Sequence, residues 1–173
     1  MTAEVVEPAP VFRIVPATPH DVPAILAMIE ALADYEQLRP LCVATEGDLR
    51  AALFASRPAA EVLVGWEAQT AVAFALFFHN FSTFLGRKGL YLEDLFVRPP
   101  YRRRGYGRAL LMHLARIAVD RGCGRFEWAV LDWNAPAIAF YQSLGAVLLP
   151  DWRIVRLTGP ALSGLATAPP EGS

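Results

Sequence analysis

The feature that most constrains the fold is a strand, a helix and a second strand that follow one another in the second half of the chain. Leu90–Val97 (LYLEDLFV) is apolar on both faces except at two adjacent acids, as expected for a strand inside a sheet. A helix with one apolar stripe follows and ends near Asp120. Arg125–Leu131 (RFEWAVL) is the second strand. Because such crossovers are right-handed and bring their strands together, the two strands are predicted to be parallel and adjacent.

Shorter signals complete a predicted element order of β-α-α-β-β-β-α-β-α-β-β. Thr18 and Thr45 each precede an acid three residues later, which is a pattern that starts helices. The predicted fold class is α/β, a mixed and mostly antiparallel sheet with a central parallel βαβ pair, flanked by helices. The other predicted elements are a strand Val11–Val15, helices from Thr18 to about Glu36 and from Thr45 to before Pro58, strands Glu61–Glu67 and Thr70–His79, a loop Phe81–Gly89, a helix from Asn134 to Leu144, and a final hairpin of Val147–Leu149 and Arg153–Leu157.

The two ends of the chain differ from its middle in composition. Residues 1–10 are rich in Pro and Glu and are predicted to be a flexible N-terminal arm. Residues 159–173 are rich in Gly, Pro, Ala and Ser and are predicted to be a flexible C-terminal tail. Residues 11–158 are predicted to form one domain between them.

Composition excludes several classes of protein. Of the 173 residues, 54% are hydrophobic and 19% charged, with a formal net charge of −1, so the chain is globular and has no overall charge that attracts nucleic acid or a membrane. Cys42 and Cys123 form no CxxC pair, and the three histidines lack metal-ligand spacing, so we expect no metal. The longest apolar stretch, Ala71–Phe78, is too short to cross a membrane, and the first residues lack a secretory signal. We expect a cytoplasmic protein.

Between the first strand and the helix lies a basic loop with two glycines, Arg102-Arg103-Arg104-Gly105-Tyr106-Gly107. Glycine accepts positive φ, and the first N–H groups of the next helix lack intrahelical partners, so the loop can bind an anion such as a pyrophosphate. The alternative is an exposed turn rich in arginine. The chain has no GxxxxGK[ST] loop, and the third glycine of a dinucleotide fingerprint is missing.

Two further features carry candidate chemistry. Glu93 and Asp94 interrupt an apolar strand, where alternation sends them to opposite faces, and each needs a partner or a task because an unpaired buried carboxylate is costly. Either one pairs with an arginine, or they hold an ammonium and accept its proton. Asn134 and Tyr141 are seven residues apart, so on a helix they share a face and one thin ligand can touch both. The alternative is that Asn134 caps the helix and Tyr141 is a core aromatic.

The loop Arg102-x-x-Gly105-x-Gly107 after a strand that ends Phe96-Val97 resembles the acetyl-CoA signature of the GNAT superfamily of N-acetyltransferases. The similarity runs from about Phe12 to Leu157 in the same element order, and it is closest to the diamine (spermidine/spermine) and thialysine acetyltransferase group. The blocks that match that group are Leu32-Ala33-Asp34-Tyr35-Glu36, Tyr91-Leu92-Glu93-Asp94, Asp132-Trp133-Asn134 and Phe140-Tyr141.

The resemblance implies a donor site for acetyl-CoA and a role for each matching residue. Tyr141 is implied as the general acid at the donor sulfur, and Glu93 as the group that assists deprotonation of the amine. The strands matching 90–97 and 125–131 are implied to splay apart and admit the pantetheine arm. The implied donor-binding residues are Leu95, Phe96, Val97, Arg102, Arg103, Arg104, Gly105, Tyr106, Gly107, Arg108, Asn134, Ala137 and Tyr141. The implied acceptor-binding residues are Tyr35, Glu36, Glu93, Asp94, Glu127, Trp128 and Ala129.

The resulting hypothesis is an N-acetyltransferase domain over residues 11–158 that moves acetyl from acetyl-CoA to a primary amine of a small molecule, by direct attack and without a covalent acyl-enzyme. Leu149-Pro150-Asp151-Trp152 is shorter than the acidic loop of the polyamine group, which argues against a long polyamine. The resemblance implies a homodimer. The alternatives are a protein or peptide acetyltransferase, a silent CoA-binding sensor, and a nucleic-acid binder, which the net charge disfavours.

Overall fold

The structure is a computed structural model that describes residues 11–168. The described chain forms two compact units, one up to Ala129 and one from Val130 onward. The first unit is built on a five-stranded sheet in which the strands lie in sequence order and all pairs are antiparallel except the last. Its strands are β1 (Phe12–Pro16), β2 (Glu61–Glu67), β3 (Thr70–Ser82), β4 (Arg87–Val97) and β5 (Phe126–Trp128).

Three helices accompany this sheet: α1 (Val22–Tyr35), α2 (Glu46–Phe54) and α3 (Tyr106–Asp120). Both predicted caps are present. The Thr18 N–H donates to the Asp21 carboxylate at 2.7 Å, and the Thr45 N–H donates to the Asp48 carboxylate at 2.9 Å. A 3₁₀ turn, Pro19–Asp21, separates the first cap from α1. Each cap satisfies N–H groups that a helix start leaves without partners.

The helices cover both faces of the sheet. Residues of α1 and α2 pack with Val62, Val64 and Phe74 in one buried cluster. Because side chains alternate along a strand, Glu61 and Glu67 lie on the other face of β2, and there they contact the two ends of α3. The buried stripe of α3 is Leu110, Leu111, Leu114 and Ala118. The sheet therefore holds α3, and with it the glycine loop, in a fixed place.

The second unit contains two helices, α4 (Ala135–Ser143) and α5 (Gly159–Thr167). The predicted hairpin of Val147–Leu149 and Arg153–Leu157 is wrong, because neither segment is a strand. Apolar alternation is a local signal, whereas a strand also needs a neighbour to pair with, and here side chains such as Val155 (91% exposed) are not covered. The segment predicted as a flexible tail begins with α5. The predicted arm and residues 169–173 lie outside the described residues.

The predicted fold class is confirmed: a mixed α/β fold with one parallel pair in a mostly antiparallel sheet. The parallel pair β4–β5 lies at the edge of this sheet and not at its centre, because no strand follows β5 in the described part of the chain. The predicted loop over 81–89 is also too long, since β3 and β4 continue to Ser82 and from Arg87. None of the helices within 11–168 has the length and apolar character that crossing a membrane requires.

Candidate active site

The glycine loop joins β4 to α3 and has the backbone of an anion-binding site. Gly105 is the N-cap of α3 with φ of 83°, in the left-handed region that favours glycine. A Cβ built on Gly105 meets nothing within 4 Å, so backbone conformation and not space requires the glycine. Gly107 lies inside the first turn of α3. The N–H groups of that turn have no intrahelical acceptors and lie at the positive end of the helix dipole, as a diphosphate requires.

The arginines of the loop have different surroundings. Arg102 donates from Nε to the Val97 carbonyl at 3.0 Å, and its guanidinium lies 4.8 Å from the centre of the Tyr35 ring and 5.6 Å from that of Phe96. Arg103 and Arg108 are exposed. Arg104 is held by an acid from another strand. Arg102 and Arg104 thus have partners within the protein, and the donor-binding roles of all four arginines stay predictions.

The partner of Arg104 is Glu67, a residue that the sequence analysis does not single out. Glu67 is buried at the end of β2. Arg104 Nη1 donates to its two carboxylate oxygens at 3.0 and 3.1 Å, and the Tyr106 hydroxyl donates to Oε2. The Phe12 ring stacks on Tyr106 with centres 3.8 Å apart and planes 4° apart. The sequence does show an acid at the end of an apolar strand. It does not show which residues that acid contacts, because its partners are 37 and 39 residues away along the chain.

The edge of β4 that faces β5 is paired over only part of its length. The parallel ladder joins Leu90 to Phe126, Tyr91 to Glu127 and Leu92 to Trp128, and it ends there. From Glu93 to Val97 the strand is paired only with β3 among the described strands. The peptide groups of Leu95 to Val97 on the β5 side therefore have no strand partner within residues 11–168, as the predicted splay requires.

A β-bulge lies where the pairing with β5 ends. Leu76 of β3 pairs with Asp94 and Phe77 pairs with Leu92, so Glu93 is the extra residue of β4. A bulge locally breaks the alternation of side chains and changes their direction, and bulges are common beside active sites. The prediction that Glu93 and Asp94 lie on opposite faces by simple alternation therefore does not apply here. Glu93 is exposed and Asp94 is partly buried.

Three carboxylates form an acidic cluster at this bulge. The pKa of Asp94 is raised to about 6, chiefly by burial and secondly by the negative charges of Glu93 and Glu36. Burial also raises the pKa of Glu36, which is the C-cap of α1 and follows Tyr35. The Tyr35 ring lies under Arg102, so the end of α1 contacts the donor loop. The cluster is a suitable site for a cation, which would neutralise the mutual repulsion of the acids.

Of the predicted acceptor residues on and after β5, Glu127 has polar partners within the protein. Glu127 Oε2 forms an ion pair with Arg125 Nε at 2.7 Å and accepts a hydrogen bond from Asn80 Nδ2 at 3.1 Å. The Trp128 ring packs on Phe126 with centres 4.9 Å apart, and Ala129 is exposed after the strand. Glu127 thus has an ion-pair partner, whereas the structure places Glu36, Glu93 and Asp94 together. No group of three or more His, Cys, Asp or Glu within residues 11–168 has the arrangement of a metal site.

In the second unit, Asn134 is the N-cap of α4 and its Oδ1 accepts from the Ala137 N–H at 3.3 Å. Asn134 therefore caps the helix, as the alternative interpretation has it. Its backbone (φ −83°, ψ 60°) is not helical, so a spacing of seven residues does not by itself place its side chain on the same helix face as Tyr141. Tyr141 is partly buried in the last turns of α4, and its ring lies 5.5 Å from that of Phe140.

The model of the acetyltransferase (GNAT) family matches residues 26–146, a span that contains the bulge, the glycine loop and α4. The chain belongs to the GNAT family of acetyltransferases. An L-ornithine N5-acetyltransferase of Arabidopsis thaliana is 37% identical to it, over 88% of this chain and 87% of that protein. A thialysine N-epsilon-acetyltransferase of Sus scrofa is also 37% identical, over 82% of this chain and 89% of that protein. An integron cassette protein from the mobile metagenome of V. cholerae has a similar solved structure, with a TM-score of 0.77 and 28% identity over 91% of this chain and 98% of that one.

Membership of the GNAT family confirms the predicted resemblance and the predicted kind of enzyme, an acyltransferase that acts on nitrogen. The roles of the individual residues stay predictions, and so does the homodimer, which analytical ultracentrifugation tests directly. The structure adds two facts about this GNAT domain that the motifs do not contain. Glu93 is the bulged residue of β4, and Glu67 is joined to the glycine loop.

Proposed function

We propose that this enzyme transfers an acetyl group from acetyl-CoA to the primary amine of a small cationic molecule, such as a diamine, a polyamine or a thialysine-like amino acid. Two relatives, an ornithine and a thialysine acetyltransferase by name, support an acceptor of this kind. The observation that carries the proposal is the acidic cluster of Glu36, Glu93 and Asp94 beside the unpaired edge of β4. Negative charge at that point favours an ammonium over a neutral acceptor.

The described residues fit a CoA donor. The first turn of α3 and Gly105 offer main-chain N–H groups to a diphosphate, and the peptide groups of Leu95 to Val97 offer donors and acceptors to the amide-containing pantetheine arm. When bound there, acetyl-CoA supplies an acetyl group activated as a thioester. The N–H of Leu95 lies on the same edge and is the proposed donor to the carbonyl oxygen as it gains charge.

The acids prepare the acceptor for attack. A primary ammonium has an ordinary pKa near 10.4, so only about one molecule in 10³ is neutral at pH 7, and only the neutral amine is a nucleophile. We assign the removal of this proton to the Glu93 carboxylate, directly or through water. Asp94, whose pKa is about 6, holds the cation next to it and can share the proton near neutral pH.

Tyr141 is the proposed general acid. As the C–S bond breaks, its Oη–H donates to the departing sulfur. A tyrosine hydroxyl ordinarily has a pKa near 10 and a thiol one near 8.5, so complete transfer is uphill by about 2 kcal/mol. A hydrogen bond that strengthens as the sulfur gains charge avoids most of that cost.

A thiol-release assay with acetyl-CoA over a panel of amines, amino acids, aminated sugars and peptides tests the proposal. We expect turnover with small cationic amines, and a fall of at least ~10²-fold in kcat/KM for Glu93→Gln, as for loss of a general base. Glu46→Gln, which removes an exposed acid of α2 that pairs with Arg50, is the matched control and should behave as wild type. Absence of turnover with every amine, or preference for peptides, would contradict the proposed acceptor class.

A further inference from the structure

Strand β2 carries a carboxylate at each end, and the two carboxylates hold opposite ends of α3. Glu61 accepts from Arg121, the C-cap residue of α3, with Nη2 to Oε2 at 2.8 Å. Glu67 accepts from Arg104 and Tyr106 on either side of the N-cap Gly105. Positions 61 and 67 lie on the same face of the strand, and of the two only Glu67 contacts the glycine loop, whereas Glu61 contacts the far end of the helix.

The contacts of Glu67 lie on the residues immediately before and after Gly105. Holding both neighbours leaves the glycine little freedom to leave its φ of 83°. Arg103, two residues before Gly105, also has positive φ (61°), which costs energy in a residue with a side chain and so must be compensated by the surrounding structure. The buried Glu67 carboxylate provides that compensation. Its burial is stable only while Arg104 and Tyr106 donate to it, and these hydrogen bonds hold the loop in its conformation.

We infer that Glu67 is a positioning residue of the donor site, which fixes the glycine loop so that the N–H groups at the start of α3 bind the CoA diphosphate, while Arg104 serves as its counter-ion and not as a phosphate ligand. The inference rests on the proposed function, since it assumes that the loop binds CoA. Glu67 touches neither donor nor acceptor in this scheme and acts only through the loop.

Two neighbours support this role. A Cβ on Gly65 would lie 2.6 Å from Cζ of Phe12, so the absence of a side chain there allows the Phe12 ring to reach its place. That ring stacks on Tyr106 and directs the hydroxyl to Glu67. The hydrogen bond to Glu67 raises the pKa of the Tyr106 hydroxyl, so the phenol stays neutral and keeps donating throughout the working range of pH.

The test compares Glu67→Gln with wild type in two measurements. Calorimetry gives the Kd for CoA, and steady-state assays give kcat and KM with acetyl-CoA and with S-acetyl-pantetheine, a thioester that lacks the diphosphate. Loss of one charge-assisted contact predicts a ~10-fold rise in Kd and in KM for acetyl-CoA. We expect kcat at saturation and kcat/KM for S-acetyl-pantetheine to remain at the wild-type values. Glu61→Gln removes the same group from the other end of β2 and should leave the Kd for CoA unchanged.

Each other outcome has a definite meaning. Wild-type affinity for CoA in Glu67→Gln overturns the inference, and tighter binding overturns it as well, because it would show that Arg104, once released, is a phosphate ligand. An equal loss with both donors would show a merely structural role. Should Glu67→Gln not fold, Tyr106→Phe removes one of the two contacts and must show the same difference between donors. If the wild-type protein itself does not bind CoA, the proposed function fails and not the inference alone.

Discussion

Asp94 should reduce the stability of the folded protein above pH 6, and replacing it by asparagine should restore that stability. Its pKa in the folded state is about 6 against an ordinary value of 3.8, chiefly because it is buried and secondly because Glu93 and Glu36 repel its charge. Each pH unit between the two values is worth about 1.4 kcal/mol, which gives about 3 kcal/mol in total. Asparagine has nearly the same shape as the protonated acid and no charge.

The sign follows from which state binds the proton. Between about pH 4 and pH 6 the folded protein keeps the proton on Asp94 while the unfolded chain has lost it, so the free energy of unfolding falls as the pH rises through this range. Above it, the carboxylate is ionised in both states and the full cost remains. We therefore expect Asp94→Asn to be more stable than wild type by about 3 kcal/mol at pH 8, with the difference vanishing near pH 4.

Urea unfolding of both proteins at several pH values between 4 and 8.5 measures this difference. Asp48→Asn is a control with the opposite sign, because hydrogen bonds from Thr45 lower the pKa of Asp48, so that variant should be less stable than wild type at neutral pH. The reasoning is refuted if Asp94→Asn gains nothing at pH 8, or if its gain does not change with pH. The same variant should raise KM for the amine, because the proposed role of Asp94 is to bind the cationic acceptor at a cost to stability.

Three further predictions concern the loop, the helix α4 and strand β2. Gly105→Ala places a Cβ at φ of 83° and should cost about 1 kcal/mol of stability and weaken CoA binding, as measured by calorimetry; unchanged affinity would mean that the loop is not the diphosphate site. Tyr141→Phe should lower kcat by ~10²-fold or more with the Kd for CoA unchanged, whereas wild-type turnover would remove Tyr141 from the mechanism. Gly65→Ala should destabilise the protein by about 1–3 kcal/mol in thermal melts, because its Cβ would lie 2.6 Å from Phe12; a wild-type melting temperature would contradict the close contact.

Local patterns in the sequence predicted the parts of the fold that depend on near neighbours. The caps at Thr18 and Thr45 involve residues three apart, and the crossover from β4 to β5 follows from handedness, so both could be predicted and both are present. The same method failed at Val147–Leu149, where the pattern is that of a strand but no strand forms. Whether an apolar segment pairs depends on what lies beside it, which the local pattern does not contain.

The candidate site was predictable to the same extent. The glycine loop and the adjacent acids follow from motifs, but an alternating apolar pattern does not reveal that Glu93 is the extra residue of a bulge, because that depends on the register with β3. Glu67 and its partners are separated by 37 and 39 residues, so only the folded chain shows that they meet. Asn134 illustrates the local case, because its cap on α4 joins residues three apart, while its role in donor binding stays a prediction.

The stretch of β4 from Glu93 to Val97, which pairs with β3 and with no other described strand, has a consequence for how such an enzyme can change its specificity. Every amino acid except proline presents the same main-chain N–H and C=O. Binding by main-chain groups is therefore retained when Leu95 or Val97 is replaced by another strand-forming residue. In the proposed function, the choice of amine depends instead on a few side chains at the bulge and at the end of α1. In that scheme, mutations of those side chains change the acceptor amine, while the main-chain groups that bind acetyl-CoA stay the same.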